Sequence, residues 1–280
     1  MTSDPHPVDA PLVDAVSDLL RRAAREAILP RFRALAENEA EEKSPGEIVT
    51  IADREAEAIL TQGLLALRPD ALVLGEEAAA ADPALLPAFH AGTTTTWLVD
   101  PLDGTANFAA GNEPFAVMVA LVEGQDILAA WMLDPVSDRL AVATRGGGAF
   151  LDGVRVAAPD GIAAAETLRG AVLTRFLPPP LKAQIEARSG RLARILPGWR
   201  CSGREYPAMV AGEQDFALFW RALPWDHAPG ALFLAEAGGH TARLDGTPYR
   251  PREDRPGLLA ARSAAAWYSV AAALLAPDDI

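Results

Sequence analysis

Trp97-Leu98-Val99-Asp100-Pro101-Leu102-Asp103-Gly104-Thr105-Ala106-Asn107-Phe108 is the stretch on which the fold turns. Its apolar run predicts a strand that delivers Asp100 at its carboxyl end; Pro101 stops the ladder, and Asp103-Gly104-Thr105 opens a helix. Two carboxylates and free backbone N–H groups then meet at one point, which suits a cation and an anion together. Glycine at 104 leaves no side chain between those donors and an anion, and a helix N-terminus adds positive potential. Taken alone, Asp-Gly-Thr is an ordinary strand-to-helix turn with Asp103 as a cap. The full Asp-Pro-x-Asp-Gly-Thr string fixes five positions at about 5% each, so chance supplies it in roughly one of 10,000 chains of this length.

Two further carboxylate sites stand where apolar runs end. Gly75-Glu76-Glu77 follows Ala71 to Leu74, and Trp225-Asp226 follows Phe216 to Trp220 and opens a helix with Pro229 in its first turn. Each is weak alone, because a Glu pair after a strand is usually solvated and an Asp before a helix is usually an N-cap. Together with Asp100 and Asp103 they would make a four-carboxylate cluster, which a fold keeps only with cations. The chain has one cysteine, Cys201, and four scattered histidines without zinc spacing. A metal site is therefore expected to use oxygen ligands, which favours Mg²⁺ over zinc or copper.

Outward from these motifs the pattern alternates. Apolar residues from Leu12 to Ile28 at helical spacing predict an amphipathic helix ending near Pro30, followed by a charged loop, Glu37 to Lys43. Thr50 and Asp53 have capping-box spacing at the start of a second helix that runs to about Leu67. Strands are expected at Ala71 to Leu74, Thr95 to Val99, Phe115 to Val122, Ile127 to Leu133 and Leu140 to Thr144, the last three as an antiparallel meander. Asp152-Gly153 marks a two-residue hairpin. Strand Leu168 to Leu173, helices Leu181 to Arg188 and Tyr206 to Ala211, strand Phe216 to Trp220 and helix Ala228 to Ala237 follow, stopped by Gly238-Gly239. These elements predict a mixed α/β chain with an N-terminal half over residues 1–160, carrying most of the acidic sites, and a C-terminal half over 161–280 carrying Asp226.

The 280 residues are half hydrophobic, enough for a sizeable core, and the formal charge of −13 repels nucleic acid and anionic lipid, neither of which is expected as a partner. The stretch Met1 to Pro11 does not read as a secretion signal, and the apolar runs Phe115 to Val122 and Ala264 to Ala276 are shorter than the roughly 20 residues of a membrane span. A cytoplasmic location is the expectation.

The motifs Ile48-Val49-Thr50-Ile51-Ala52-Asp53, Gly75-Glu76-Glu77, Asp100 to Phe108, Pro224-Trp225-Asp226 and Glu236-Ala237-Gly238-Gly239, in that order, resemble the inositol monophosphatase family of lithium-sensitive phosphatases. The resemblance covers nearly the whole chain. It implies a layered αβαβα sandwich, commonly a homodimer, that hydrolyses a small phosphorylated metabolite with two or three Mg²⁺ ions and is inhibited by Li⁺. By that resemblance Glu76, Asp100 and the Leu102 carbonyl hold a first metal, Asp100, Asp103 and Asp226 a second, and a looser third ion touches Glu76. Glu76 and Thr105 position the nucleophilic water, Asp53 accepts from the Thr105 hydroxyl, and the N–H groups of Gly104 and Thr105 hold phosphate. Without the resemblance, Asp53 reads as a capping residue paired with Thr50.

Three departures fall on the substrate side. Many relatives carry an acidic residue seven positions before the Asp of Trp-Asp, where it binds inositol hydroxyls; this chain has Phe219. Arg204-Glu205 stands where relatives are small, either as a surface ion pair or as substrate contacts. His227 is expected to be packed or solvated rather than a ligand. Lys43 lies a residue short of the family's basic position and is given no role. Histidinol phosphate, a sugar bisphosphate and a 3′-phosphonucleotide are the competing substrates, Ala106-Asn107-Phe108 leaning toward polyol or sugar phosphates; a noncatalytic regulator is the alternative from another class.

Overall fold

The structure, a computed structural model, describes residues 8–275 except 45, 46 and 162. The reading of Met1 to Pro11 therefore lies outside the described residues up to position 7, as does Ala276.

The capped amphipathic segments form α1 (Ala10–Ala23) and, after a hairpin of β1 (Ala40–Ser44) and β2 (Glu47–Thr50), α2 (Ile51–Leu67). A turn of π-helix and one of 3₁₀-helix carry α1 on to Arg31. The expected charged loop thus ends in a strand, whose charged residues Glu41 and Glu42 stay exposed while pairing supplies the backbone bonds.

Strands β3 (Leu72–Gly75), β4 (Thr96–Asp103), β5 (Ala116–Glu123), β6 (Asp126–Asp134), β7 (Arg139–Thr144), β8 (Gly148–Leu151) and β9 (Val154–Val156) pair in chain order into one sheet, parallel only at β3–β4. Two short helices, α3 (Glu76–Ala81) and α4 (Leu85–Ala91), connect β3 to β4, and α5 (Thr105–Ala109) follows β4. The second sheet orders β11 (Arg194–Leu196), β10 (Arg169–Val172), β12 (Phe216–Phe219), β14 (Leu258–Ala261) and β13 (His240–Arg243). Helices α6 (Pro179–Arg188), α7 (Ser202–Val210), α8 (Pro224–Glu236) and α9 (Ala264–Leu274) complete the chain.

Period-two alternation decides the layering. On β5, Val117, Val119 and Leu121 face α1 and α2 through Leu20, Ala56 and Leu60, while Met118 faces α7 and α8 through Met209 and Phe233. The same inner layer meets Ala217 and Ala260 of the second sheet, whose outer face, Phe216, Leu218 and Leu259, is covered by Ile185 of α6 and Trp267 and Val270 of α9. Helices, sheet, helices, sheet, helices: this is the expected αβαβα sandwich.

Several expectations shift in detail. The ladder of β4 does not end at Pro101; it slips register between Asp100 and Asp103 and resumes with Asp103 opposite Ala116. Helix α8 begins at Pro224, so Asp226 sits in its first turn and Pro229 lies inside the helix rather than in that turn. The apolar stretch from Ala264 is the core helix α9, and β13 and β14, too short for a clear alternation, are further strands.

The inner helices pack too closely for side chains at one point. A Cβ on Gly230 of α8 would lie 2.0 Å from the ring of Tyr206 of α7, which is wholly buried. Gly230→Ala is expected to destabilise by about 1–3 kcal/mol despite the better helix propensity of alanine, an overpacking cost measurable by urea denaturation.

Candidate metal and phosphate site

Three of the four carboxylates stand at or just beyond the end of a strand, where the ladder releases the backbone, and the fourth opens a helix. Glu76 opens α3 directly after β3, Asp100 and Asp103 lie in the slipped end of β4, and Asp226 is in the first turn of α8. Carboxylate oxygens of Glu76, Asp100 and Asp226 all lie within 4.8 Å of one another, with Asp100 buried. Asp103 lines the same cavity, one oxygen accepting from Gly203 N at 2.7 Å. Burial, then the charge of Glu76, pushes the Asp100 and Asp226 carboxyls well above the usual carboxylate range; burial pushes Asp103 up to about 7 against the Gly203 N–H bond, which works the other way. An all-oxygen set that repels itself fits a hard divalent cation.

A protein cation already leans on this cluster. Lys43 Nζ sits 2.7 Å from both Glu76 Oε1 and Glu77 Oε1. Burial disfavours its charge, yet Glu76 and Glu77 more than offset that and hold its pKa above the ordinary lysine range. Sequence reading gave Lys43 no role because its distance from the Val-Thr motif was a residue short; pairing within the β1–β2 hairpin brings it into place.

The two readings of Asp53 are both realised, one per oxygen. Oδ2 accepts from Thr50 N at 2.8 Å and Thr50 Oγ1 at 2.5 Å, closing the capping box of α2. Oδ1 lies 3.0 Å from Thr105 Oγ1, which is also 2.8 Å from the Leu102 carbonyl, so the single hydroxyl proton is shared between two acceptors. Burial raises the Asp53 carboxyl to about 7, the Thr50 bonds opposing it.

One turn along the same helix, Glu57 caps α3, accepting from Glu77 N at 2.9 Å and Ala78 N at 2.8 Å. That residue was missed; the four-residue spacing from Asp53, which puts both carboxylates on one helix face, was the signal. A Cβ at Gly75 would meet the Glu57 carboxyl at 2.3 Å, which explains the glycine of Gly75-Glu76-Glu77.

Gly104 takes φ +87°, and a Cβ there would meet the Pro114 carbonyl at 3.0 Å. Asn107 Nδ2 donates to Pro114 O and Trp199 O, tying α5 to the loop before α7. Gly104, Thr105 and Leu102 line the cavity. Burial pushes the Cys201 thiol well above its ordinary range, which removes it as a thiolate nucleophile.

On the substrate side, the structure separates two neighbours. Glu205 is fully buried, lines the cavity and accepts from Trp199 N at 2.6 Å and Gln214 Nε2 at 2.7 Å. Arg204 is no part of the lining: a helical step of about 100° turns it outward, where it stacks 4.5 Å from the Trp199 ring and pairs with Glu213. The two neighbours form no mutual surface ion pair, Arg204 pairing with Glu213 instead. Phe219 packs between Tyr206 and His227 at 5.8 Å and 4.6 Å. His227 is buried with Nδ1 3.1 Å from Tyr206 Oη and Nε2 3.1 Å from Arg221 O; burial lowers it to about 3, so it is neutral and packed. Arg175, Phe176, Arg200 and Arg221, none of which the sequence singled out, also line the cavity.

Comparison with known proteins agrees with this geometry. The sequence profile of the inositol monophosphatase family matches residues 9–277. The chain is 34% identical over 215 residues to an inositol-1-monophosphatase of Rhizobium meliloti (strain 1021), covering 73% of this chain and 75% of the relative. It is 30% identical over 207 residues to a Thermotoga maritima fructose-1,6-bisphosphatase/inositol-1-monophosphatase, covering 73% and 75%. In fold it superposes on the extragenic suppressor protein suhB from Bartonella henselae with a TM-score of 0.82 at 23% identity, covering 95% and 98% of the two chains.

The shared Thr105 proton generates a test. Asp53→Asn and Thr105→Ala are each expected to reduce turnover by about 10²-fold or more, and the double variant to lose far less than the product of the two. Multiplicative losses, with each single variant also costing only the roughly 1 kcal/mol of a lost cap, would leave Asp53 as a capping residue alone.

Proposed function

This chain belongs to the inositol monophosphatase family and is a phosphoric monoester hydrolase; we propose that it releases phosphate from a small phosphorylated metabolite with Mg²⁺, and that Li⁺ inhibits it. The observation that carries the metal is the convergence of Glu76, Asp100 and Asp226 within 4.8 Å beside Asp103. Glu76, Asp100, Asp103, Asp226 and the Leu102 carbonyl are the residues that would hold two or three ions. Bound there, Mg²⁺ supplies Lewis-acid charge that makes water nucleophilic and neutralises the departing alkoxide.

The chain's own groups do the rest. Thr105 spends its proton on Asp53 Oδ1 or Leu102 O, so its oxygen is left to accept a hydrogen bond from the attacking water. Glu76, whose Oε1 accepts from Lys43, accepts that water's second hydrogen. Gly104 and Thr105 offer N–H groups to the phosphate, without a Cβ at 104 to block it. Lys43 balances the charges of Glu76 and Glu77. A homodimer follows from the family resemblance alone, and a cytoplasmic location from the composition.

Inositol 1-phosphate is not the preferred ester in this reading. Phe219 is enclosed by Tyr206 and His227, and a phenyl ring accepts no hydrogen bond from a polyol hydroxyl, so hydroxyls brought there lose water without return.

Two measurements check these statements. Mg²⁺ at about 100 times its dissociation constant should stabilise the fold by about 2.7 kcal/mol per site, seen as a higher Tm, and Asp103→Asn should weaken that shift and abolish Mg²⁺-dependent phosphate release. An unchanged Tm and rate would remove the metal assignment, and a folded protein that releases no phosphate from any ester would instead be a regulator. In a panel of inositol 1-phosphate, histidinol phosphate, sugar phosphates and 3′-phosphonucleotides, another ester should have the highest kcat/KM; a lead of about tenfold for inositol 1-phosphate, worth about 1.4 kcal/mol, would restore the inositol reading.

A further inference from the structure

In a chain of charge −13, three guanidiniums line one cavity, and their placement is built rather than incidental. Strands β10 and β12 are parallel neighbours, so the segments leaving their carboxyl ends emerge side by side. Arg175 and Phe176 follow β10, and Arg221 follows β12. Both guanidiniums lie against the same ring, Arg175 Cζ at 4.7 Å and Arg221 Cζ at 4.3 Å from the Phe176 centroid. An ion pair from Arg221 to Glu47 of β2 fixes that side chain further. Arg200 comes from the loop before α7, exposed, in left-handed backbone at φ +57°. Glu205 holds that loop through the neighbouring Trp199 N–H.

The cavity therefore carries both signs of charge. Glu76, Asp100, Asp103 and Asp226 line it with Lys43; Arg175, Arg200 and Arg221 line it with Glu47 and the buried Glu205, and the Arg221 charge also acts on Asp226. Gathering like charges against an aromatic ring costs repulsion and desolvation, and a neutral alcohol gives nothing back for it. A guanidinium repays that cost through charge-assisted, planar hydrogen bonds to a carboxylate or phosphate. In the phosphatase reading the reacting phosphate takes the metal carboxylates and the N–H groups of Gly104 and Thr105, so an anion held by these arginines would be a second one.

We propose that Arg175, Arg200 and Arg221, set around Phe176, form a subsite that selects phosphate esters whose alcohol carries a second anionic group, a carboxylate or another phosphate. This rests on the phosphatase reading above.

The test uses esters that share a carbon chain and differ only at the far end. Glucitol 6-phosphate, 6-phosphogluconate and glucitol 1,6-bisphosphate end in a hydroxyl, a carboxylate and a phosphate; glycerol 3-phosphate, 3-phosphoglycerate and glycerol 1,3-bisphosphate cover a shorter reach. In at least one series, kcat/KM with Mg²⁺ should favour an anionic end over the hydroxyl by about tenfold or more, the weight of one charge-assisted hydrogen bond. Which anion leads tells carboxylate from phosphate. Arg175→Gln and Arg200→Gln should each cut that ratio by several-fold, and Arg200→Glu should cut it further. Because the ratio is taken within one protein sample, partial loss of folded enzyme does not move it. No anionic preference in either series, or arginine variants that slow all esters equally, would overturn the subsite and show that the guanidiniums serve the reacting phosphate or only the fold. Calorimetric binding of the same esters with Ca²⁺ in place of Mg²⁺ should give the same order without turnover. A binding order that favours the anionic ends while no ester is hydrolysed would uphold the subsite and sink the phosphatase reading; equal binding of all three ends would sink the subsite whatever the turnover.

Discussion

Mutual repulsion among buried carboxylates is the constraint from which the rest of this structure follows. At 4.8 Å and an effective dielectric constant of about 20, each ionised pair among Glu76, Asp100 and Asp226 costs roughly 3.5 kcal/mol, so three such pairs approach the whole stability of a typical domain. No fold carries that without positive charge or protons. The surrounding structure supplies partial positive charge wherever the backbone can: Gly203 N–H to Asp103, Leu102 N–H to Asp100 at 3.0 Å, and the Lys43 ammonium to Glu76. What remains uncompensated would favour binding of a divalent cation, as in the function proposed above.

That need also explains where the glycines stand. Gly75 makes room for the Glu57 carboxyl that holds the first turn of α3, Gly203 lets α7 approach β5 closely enough to reach Asp103, and Gly104 turns left-handed between β4 and α5. Each gives up a side chain so that a backbone donor can come within hydrogen-bond distance of an acidic group or of the cavity. Asp53 and Glu57, one turn apart on α2, tie the N-terminal helical layer to the same point, so the outer layer steadies the site as well as covering the sheet.

The rest of the cavity lining is organised differently. His227 and Tyr206 hydrogen-bond to one another beside Phe219. Charge enters instead through arginines carried on loops that leave β10 and β12, where changes of sequence disturb the core least. Relatives of this chain bear both inositol-1-monophosphatase and fructose-1,6-bisphosphatase names.

Short-range physics was enough for much of this. Proline, glycine and carboxylate spacing located Glu76, Asp100, Asp103 and Asp226, capping-box spacing located Asp53, and alternation located the meander and its hairpin, because each of those signals is written within a few residues of chain. The short helices α3 and α4 and the strands β11, β13 and β14 carry too few residues for a period to show, and packing alone holds them. The roles of Lys43, Glu57, Arg204 and the arginine wall were beyond the sequence for a related reason. Lys43 reaches Glu76 only because two strands pair, Glu57 reaches α3 across 20 positions, and one helical step sends Glu205 inward and Arg204 out. Arg175 and Arg221 come together because β10 and β12 lie side by side, and Arg200 joins them from the loop before α7. Which ligand types are present is a property of the chain; which charges face each other across a cavity is a property of distances that only the packed layers set.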